Sequence, residues 1–286
     1  MPVAIVTDTT HYLPRELAAA HGLHEVSLYV RWDDALEREA EMPDFDAFYA
    51  RLRTGRALPT TSQPSVGDFL AVYEPLLDAG HDIVSIHLAA GLSGTWESAR
   101  QARATLAHSG DARVEVIDSA TACGGMGMVV LAAARAASAG ADLAGVVAAT
   151  RAAREAMRMW FCIDTLEFLR RGGRVGKAQA WVGGALKIKP ILSVESEITP
   201  VERVRTSARA FARMVDYLAA LHADGHDAWV VQHIQSVDAA ERLVEHGREI
   251  FGTEPLFVSE VGPVIGAHVG PGLVGVGGIP GGLTAP

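Results

Sequence analysis

The chain has 286 residues, 49% of them hydrophobic, and a formal net charge of −9. Such a length is sufficient for two domains with separate cores. The acidic balance argues against a nucleic-acid partner, because neutralising phosphates requires a basic face. Two cysteines are too few for a disulfide framework. Because no basic and apolar leader follows Met1 and no uncharged apolar run reaches 18 residues, we predict a cytoplasmic protein without a transmembrane segment.

Strands and helices alternate in the first half of the chain. The hydrophobic pattern predicts strands over 3–7, 24–32, 83–88 and 114–117. It predicts helices over 13–21, 45–53, 66–79, 95–107 and 123–138. Residues 37–43 and 59–65 are predicted as loops, the second ordered because prolines bracket it. This alternation predicts a parallel sheet covered by helices.

The pattern changes after a predicted helix over 142–157. Predicted strands cover 159–163, 189–195, 199–204, 228–234, 256–261 and 273–276, with helices over 205–223 and 237–251. Residues 195–197 form a predicted tight hairpin, so part of this sheet is antiparallel. We therefore predict an α/β protein of two domains. Residues 1–157 form a three-layer α/β/α domain with a parallel sheet, and residues 158–286 a two-layer α/β domain with a mixed six-stranded sheet. The glycine-rich tail from Gly277 is expected to be frayed.

Residues 82–100 have the pattern of an anion site. A strand and a small-residue turn lead to Ser93, which is predicted to cap the following helix. Backbone N–H groups of a helix start bind anions at the carboxyl end of a sheet. Polar residues also end the predicted strands at Asp8–Thr10 and Asp118–Ser119. We expect these strand ends to share one edge, within reach of the 60–65 loop.

Positive charge is concentrated in one segment of this acidic chain. The segment contains all three lysines of the chain and three of its arginines, which are Arg170, Arg171, Arg174, Lys177, Lys187 and Lys189. No acidic residue occurs between Glu167 and Glu195. The pattern is compatible with a solvated face or with a docking face for an acidic partner or a phosphate-bearing ligand.

Seven blocks of the sequence together point to a known bacterial family. They are Val3–Thr10, Thr61–Ser65, Gly91–Thr95, Val116–Ser119, Leu169–Val175, Lys187–Leu192 and Gly266–Gly272. With these blocks in this order, the sequence resembles the DegV family of fatty-acid-binding proteins over nearly its whole length. The resemblance implies a long-chain fatty acid buried between two α/β domains. It implies no catalytic residue, no metal and no cofactor other than the fatty acid ligand.

The resemblance also suggests a partner. Some members of the family are the acyl-binding subunit of a bacterial fatty acid kinase. They hold the fatty acid while a separate kinase subunit phosphorylates its carboxylate, and they carry the acyl-phosphate to phospholipid synthesis. By similarity, the residues around the carboxylate are Thr61, Ser62, Ser93 and His268. Those near the kinase-facing surface are Arg170, Arg174 and Arg205.

The residue types suit a carboxylate. A buried carboxylate is tolerated only if hydrogen bonds replace its water. Ser93 and Thr61 can each donate one, and the N–H groups of Gly94 and Thr95 add the positive field of a helix start. His268 is expected to titrate near pH 7 and to donate another. Each buried methylene contributes about 0.8 kcal/mol, so the acyl chain supplies most of the affinity.

Other interpretations remain open at this point. Ser93 and the Thr61–Ser62 pair are also typical of a helix cap and a loop brace, and His268 of a turn. A serine hydrolase acting on a lipid or ester through Ser93 and His268 is an alternative, although residues 91–95 lack the final glycine of G-x-S-x-G. Residues 125–130 and 176–178 do not complete a nucleotide-binding motif. We predict a lipid-binding protein rather than an enzyme.

Overall fold

The computed structural model describes residues 1–54, 58–106, 113–183 and 188–284. Lys187, which begins one of the seven blocks, lies outside these residues. The strands are β1 (Val3–Asp8), β2 (His24–Val26), β3 (Tyr29–Trp32), β4 (Ala35–Arg38), β5 (Thr60–Ser62), β6 (Asp82–His87), β7 (Val114–Asp118), β8 (Arg158–Cys162), β9 (Lys189–Glu195), β10 (Glu197–Val204), β11 (Ala228–His233), β12 (Phe257–Glu260) and β13 (Val274–Ile279). The helices are α1 (Arg15–Ala20), α2 (Asp46–Thr54), α3 (Val66–Asp78), α4 (Thr95–Thr105), α5 (Cys123–Ser138), α6 (Leu143–Ala156), α7 (Glu167–Arg171), α8 (Ser207–Ala223), α9 (Val237–Phe251) and α10 (Pro263–Val269). None of the described helices is both long enough and apolar enough to cross a membrane.

The first sheet is parallel, with strand order β2-β1-β6-β7. Its strands are apolar on both faces, as a sheet covered on both sides requires. Ile5 and Val84 pack beneath α5 and α6, whereas Val6 and Ile83 pack with α3 and α4. The predicted three-layer α/β/α arrangement is confirmed.

The second sheet has six strands in the order β10-β9-β8-β13-β11-β12. Only the β11–β12 pair is parallel among these described strands, so the sheet is mixed as predicted. Helices α8 and α9 pack on it around the buried Trp229. The frayed tail predicted from Gly277 is wrong, because Gly277 and Gly278 pair with Val230 and Trp229 inside the sheet.

A three-stranded antiparallel sheet, β4-β3-β5, was not predicted. The single strand predicted over 24–32 is wrong, because the chain leaves the parallel sheet at Ser27 and enters the small sheet at Tyr29. The loop predicted over 37–43 begins with the end of β4 and continues as a 3-10 turn over Glu39–Glu41. Likewise, the loop predicted over 59–65 contributes β5. Strand pairing with distant segments, rather than local pattern, creates this sheet.

Helix α5 contacts both larger sheets. It packs on β1 and β6 of the parallel sheet and also on β8, β11 and β13 of the mixed sheet. At its first turn, the Gly124 amide donates a hydrogen bond to the buried Gln232 side chain of β11. The chain passes from the half with the parallel sheet to the half with the mixed sheet between Ala156, where α6 ends, and Arg158, where β8 begins. The domain boundary at residue 157 stays a prediction.

Candidate functional site

A cavity of about 260 Å³ is lined by both halves of the chain. Its wall includes residues of β5, β8, β11 and α10 and of the turns that follow β6 and β7. Most of the wall is apolar, with side chains such as Leu28, Phe161, Val194, Ile198, Val264 and Leu273. An apolar wall with a few polar groups is typical of a binding site for a small, mostly apolar ligand.

Polar wall residues from β5 and α10 meet. Thr61 Oγ1 and His268 Nε2 form a hydrogen bond of 2.8 Å. Ser62 and Gln63, next along the chain, also line the cavity and are exposed to solvent. The Gln63 side chain lies against Gly94, where any Cβ would overlap it. The β5 hydroxyls and the turn before α4 therefore belong to one polar mouth.

Two strand-end carboxylates hold the turn that carries Ser93. Asp8 Oδ2 accepts a hydrogen bond from the Leu88 amide at 3.0 Å, and Asp118 Oδ1 accepts one from the Ala90 amide at 3.2 Å. The strand ends thus share one edge of the sheet, as expected from parallel strands. Both acids act as acceptors for loop amides. Among the described residues, no group of three or more His, Cys, Asp or Glu side chains is placed to hold a metal ion.

Ser93 lines the cavity, but its predicted role as the helix cap is wrong. The capping position is Gly94, and α4 begins at Thr95. Ser93 closes the preceding turn, since its amide donates to the Ala89 carbonyl at 3.2 Å. Its hydroxyl lies 2.9 Å from Thr95 Oγ1 and accepts from the Thr95 amide at 3.3 Å. Gly94 and Thr95 lie behind Ser93 and are not part of the cavity wall.

His268 belongs to α10 rather than to a glycine-rich turn. Its Nδ1 is buried against Gly172, where a Cβ would overlap the ring, and has no hydrogen-bond partner in the described part of the chain. Burial, followed by the positive charge of Arg174, lowers the pKa of His268 to about 4. The imidazole is therefore neutral at pH 7, and the expectation that it titrates near that pH is wrong.

The basic segment is largely ion-paired with acids that lie outside it in sequence. Arg170 and Arg171 both contact Glu167 at 2.7 Å. The other described pairs are Lys177 with Glu197 and Lys189 with Asp164. These pairs are mostly exposed and contribute little to stability. Most of the positive charge read from the sequence is thus neutralised locally.

Arg174 differs from the rest of the segment. Its guanidinium donates to the carbonyls of Leu92, at 3.2 Å, and Gly172, at 2.8 Å. It therefore bridges the Ser93 turn and the glycine beside His268, and it lines the cavity mouth. Arg170 and Arg205 are exposed and are not wall residues.

The hydrogen bonds also bear on hydrolase chemistry. Ser93 Oγ is bonded to Thr95 and His268 Nε2 to Thr61, so neither atom is bonded to the other. A Ser-His-Asp array does occur elsewhere, where His87 lies 2.7 Å from Ser85 Oγ and 3.0 Å from Asp8 Oδ2. All three side chains are fully buried within the sheet, so no substrate reaches them.

The architecture and cavity can be compared with known proteins. The family model described as "Uncharacterised protein, DegV family" matches residues 2–281. This chain belongs to the DegV family. A DegV domain-containing protein of Streptomyces coelicolor is 41% identical in an alignment of 279 positions that covers 96% of this chain and 97% of that protein. The family match over residues 2–281 includes every residue that lines the cavity.

Solved DegV structures share the fold. DegV of Bacillus subtilis, a fatty acid binding protein, has a TM-score of 0.88 and 33% identity, covering 98% of this chain and 99% of that chain. A DegV family protein of Thermus thermophilus, described by its fatty acid binding, has a TM-score of 0.86 and 34% identity, covering 98% and 100%. The predicted family and two-sheet α/β fold are confirmed.

Sequence reasoning missed several residues of this DegV cavity. Gln232 is fully buried in β11 and lines the wall, with its amide donating to Ser259 Oγ at 2.9 Å. A glutamine inside an apolar strand was the available signal. Gln63 follows directly on Thr61 and Ser62 and was omitted although it shares their loop. Arg174 was assigned only to a docking surface.

Proposed function

We propose that this chain binds a long-chain fatty acid in the cavity, with the carboxylate at the polar mouth and the acyl chain along the apolar wall. The carboxylate ligands are Thr61, Ser62, Ser93 and His268, which all line one cavity. The observation that carries the proposal is the charge of that wall. Of its described residues only Arg174 is charged at pH 7, so the site favours an anion with an apolar tail.

The chemistry of the mouth supports a carboxylate ligand. Hydroxyl groups of Thr61 and Ser93 can donate to it, and the 2.8 Å bond between Thr61 and His268 fixes the orientation of both groups. Thr95 holds the Ser93 hydroxyl in place, while Gly94 and Thr95 supply the positive field of the α4 start. With its proton on Nε2, the neutral imidazole donates to Thr61 Oγ1, which leaves the Thr61 proton for the carboxylate and requires no buried charge on the histidine.

The described binding of the two solved relatives supports the same ligand class. Both are named for fatty acid binding, and both cover nearly the whole of this chain. Affinity in such a site comes mainly from the tail, at about 0.8 kcal/mol for each buried methylene before the cost of ordering. The polar mouth then sets the direction in which the fatty acid enters.

The carboxylate end is also the end at which a second protein can act. We place the head group beside the exposed Ser62 and Arg174, so a separate kinase subunit can reach the carboxylate. Arg170, Arg174 and Arg205 then form the docking surface, and the acyl-phosphate product serves phospholipid synthesis. The chain itself acts in the cytoplasm as a carrier without a cofactor.

A direct test combines native mass spectrometry with one substitution. Purified protein should carry a lipid of fatty-acid mass. Ser93→Ala should weaken palmitate binding about tenfold or more, because a hydrogen bond to a charged group contributes about 1.5–3 kcal/mol. Ser207→Ala, at an exposed position at the start of α8, is the control. Equal palmitate affinity in the Ser93 variant and the parent would place the head group elsewhere.

The hydrolase alternative gives a different result. An activated Ser93 would react with a fluorophosphonate probe, and His268→Asn would abolish the labelling. For a binding protein we expect no labelling of Ser93, because its hydroxyl is bonded to Thr95 rather than to a base.

A further inference from the structure

The first turn of α10 is held by side chains from the opposite end of the chain. A helix start has amides without intrahelical acceptors, and no side chain of α10 caps them. Glu39 Oε1 accepts from the Val264 amide at 2.8 Å, and Tyr12 Oη accepts from the Ile265 amide at 3.3 Å. The Tyr12 hydroxyl in turn donates to Glu39 Oε1 at 2.9 Å. Tyr12 and Glu39 thus act as one clamp.

The backbone of α10 is shaped for this contact. A Cβ at Gly262 would overlap both the Tyr12 ring and the Glu39 carboxylate, so the clamp approaches the main chain directly. A second phenol, that of Tyr49, donates to the Val261 carbonyl at 2.6 Å. Tyr12 itself has a left-handed backbone (φ 46°, ψ 36°), which is unfavourable for a bulky residue. Its surroundings therefore impose the position of its hydroxyl.

The other end of the same helix carries the polar mouth of the cavity. His268 lies in the last turn of α10 and bonds Thr61. Val264, Ile265 and Val269 also line the cavity. Because α10 has only seven residues, a shift at its first turn moves His268 as well. A hydrogen bond depends on direction and distance, whereas apolar contact tolerates small shifts. The mouth should therefore be more sensitive than the tail wall.

Burying the Glu39 carboxylate is costly, which argues that its position matters. The residue is 3% exposed, and its hydrogen bonds join segments 225 residues apart. We propose that Glu39 and Tyr12 are positioning residues that place His268 against Thr61 and so set the preference of the cavity for a carboxylate head group. This inference rests on the proposed fatty-acid function.

The test compares two ligands with the same tail. For each variant the affinity for palmitate is divided by that for hexadecanol, which lacks the carboxylate. Glu39→Ala and Tyr12→Phe should lower this ratio about fivefold or more, since buried amides lose their acceptors. Glu39→Gln keeps an acceptor and should stay within about twofold of the parent. Asp142→Asn, which alters the carboxylate cap of α6, should also leave the ratio unchanged.

The outcomes separate a positioning role from a merely structural one. The proposal is overturned if the variants lose affinity for palmitate and hexadecanol equally, or if Glu39→Ala and Tyr12→Phe both keep the parent's ratio of palmitate to hexadecanol affinity. Should Glu39→Ala fail to fold, Tyr12→Phe decides. If the parent binds no fatty acid, the proposed function fails, and the positioning role is then judged from the NMR shift of His268 Cε1–H in the free protein. Tyr12→Phe should move that resonance and Asp142→Asn should not; an unmoved resonance overturns the inference.

Discussion

His268 lies in an environment that disfavours its charged form. Burial and the nearby Arg174 lower its pKa from 6.5 to about 4. A depressed pKa means that the folded protein resists protonation, so stability present above pH 6.5 is lost as the pH falls towards 4. On lowering the pH from 7 to 4, the parent should lose up to about 3 kcal/mol more unfolding free energy than His268→Asn.

Urea denaturation of the two proteins at pH 7, 5.5 and 4 measures this difference. His222→Asn is a matched control, because His222 is an exposed histidine near the end of α8. A stability difference between parent and His268→Asn that stays constant over this range would contradict the lowered pKa.

Glu39 has the opposite dependence. Burial raises its pKa to about 7, although its hydrogen bonds to the Val264 amide and to Tyr12 favour the charged form; the negative charge of Asp8 adds to the increase. The stability contributed by the neutral acid is complete below pH 4.5 and is lost as the pH rises through 7. Glu39→Gln should therefore gain stability relative to the parent between pH 5 and 8, by about 3 kcal/mol at most.

Thermal unfolding at pH 5 and pH 8 checks this prediction. The control is Asp142→Asn, whose carboxylate is exposed at the α6 start. If the parent and Glu39→Gln lose stability in parallel as the pH rises, the carboxyl group is ionised at both values. Together, these two pH dependences predict that the α10 region is most stable between the pKa of His268, about 4, and that of Glu39, about 7.

At the scale of elements, local pattern was sufficient where apolar residues mark most of an element. α5, α9 and β9 begin and end where the pattern predicted: α9 buries one spaced apolar face, whereas α5 and β9 contain continuous buried runs. The three-stranded sheet could not be predicted. Its strands have three or four residues, too few to show a period, and they are defined by pairing partners up to 33 residues apart.

In the candidate site, too, local sequence predicts some residues, whereas distant contacts determine others. Thr61, Ser62, Ser93 and His268 could be predicted from sequence blocks and share the cavity. Helix α10 was missed because its seven residues contain a proline and Gly266 and are flanked by Gly262 and Gly270, a composition that opposes a helical prediction. Gly266 is required by packing, since any Cβ there would overlap the Tyr49 ring. Helix propensity does not predict an element that is held in place by tertiary contacts.

Close packing also predicts the effect of a glycine substitution on α9. Trp229 of β11 is fully buried, stacks on Phe251 at 5.1 Å and leaves no room for a Cβ at Gly247. Gly247→Ala should destabilise the fold by about 1–3 kcal/mol, as overpacking does. Gly67→Ala in α3, where a Cβ has ordinary contacts, should be neutral or stabilising by up to about 1 kcal/mol.

Thermal unfolding of both variants measures this contrast. Gly67→Ala is the matched control because both glycines are helical and both variants add one methyl group. An unchanged melting temperature for Gly247→Ala would show that α9 moves freely against β11. Such freedom is not expected of an interior at native packing density.

At the scale of the whole molecule, the basic residues that affect lipid binding can be distinguished from those that affect partner docking. The chain is acidic, with a net charge of −9, yet the cavity mouth carries the basic Arg174 and no acidic residue among its described lining. Arg174 lines the mouth and lowers the pKa of His268, so a substitution there would affect the ligand and any partner together. Arg170 and Arg205 are exposed, lie outside the cavity wall and can report on docking alone.

Charge reversal at these two positions therefore tests the kinase proposal. Arg170→Glu and Arg205→Glu should bind palmitate as the parent does. Both should reduce phosphorylation of the bound fatty acid by a cognate kinase subunit about tenfold, since like charges at an interface disfavour association. Arg248→Glu is the control for net charge, because Arg248 lies on α9 and is paired with Glu254. If all three variants lower the phosphorylation rate equally, the effect comes from overall charge, and the kinase docks on another face.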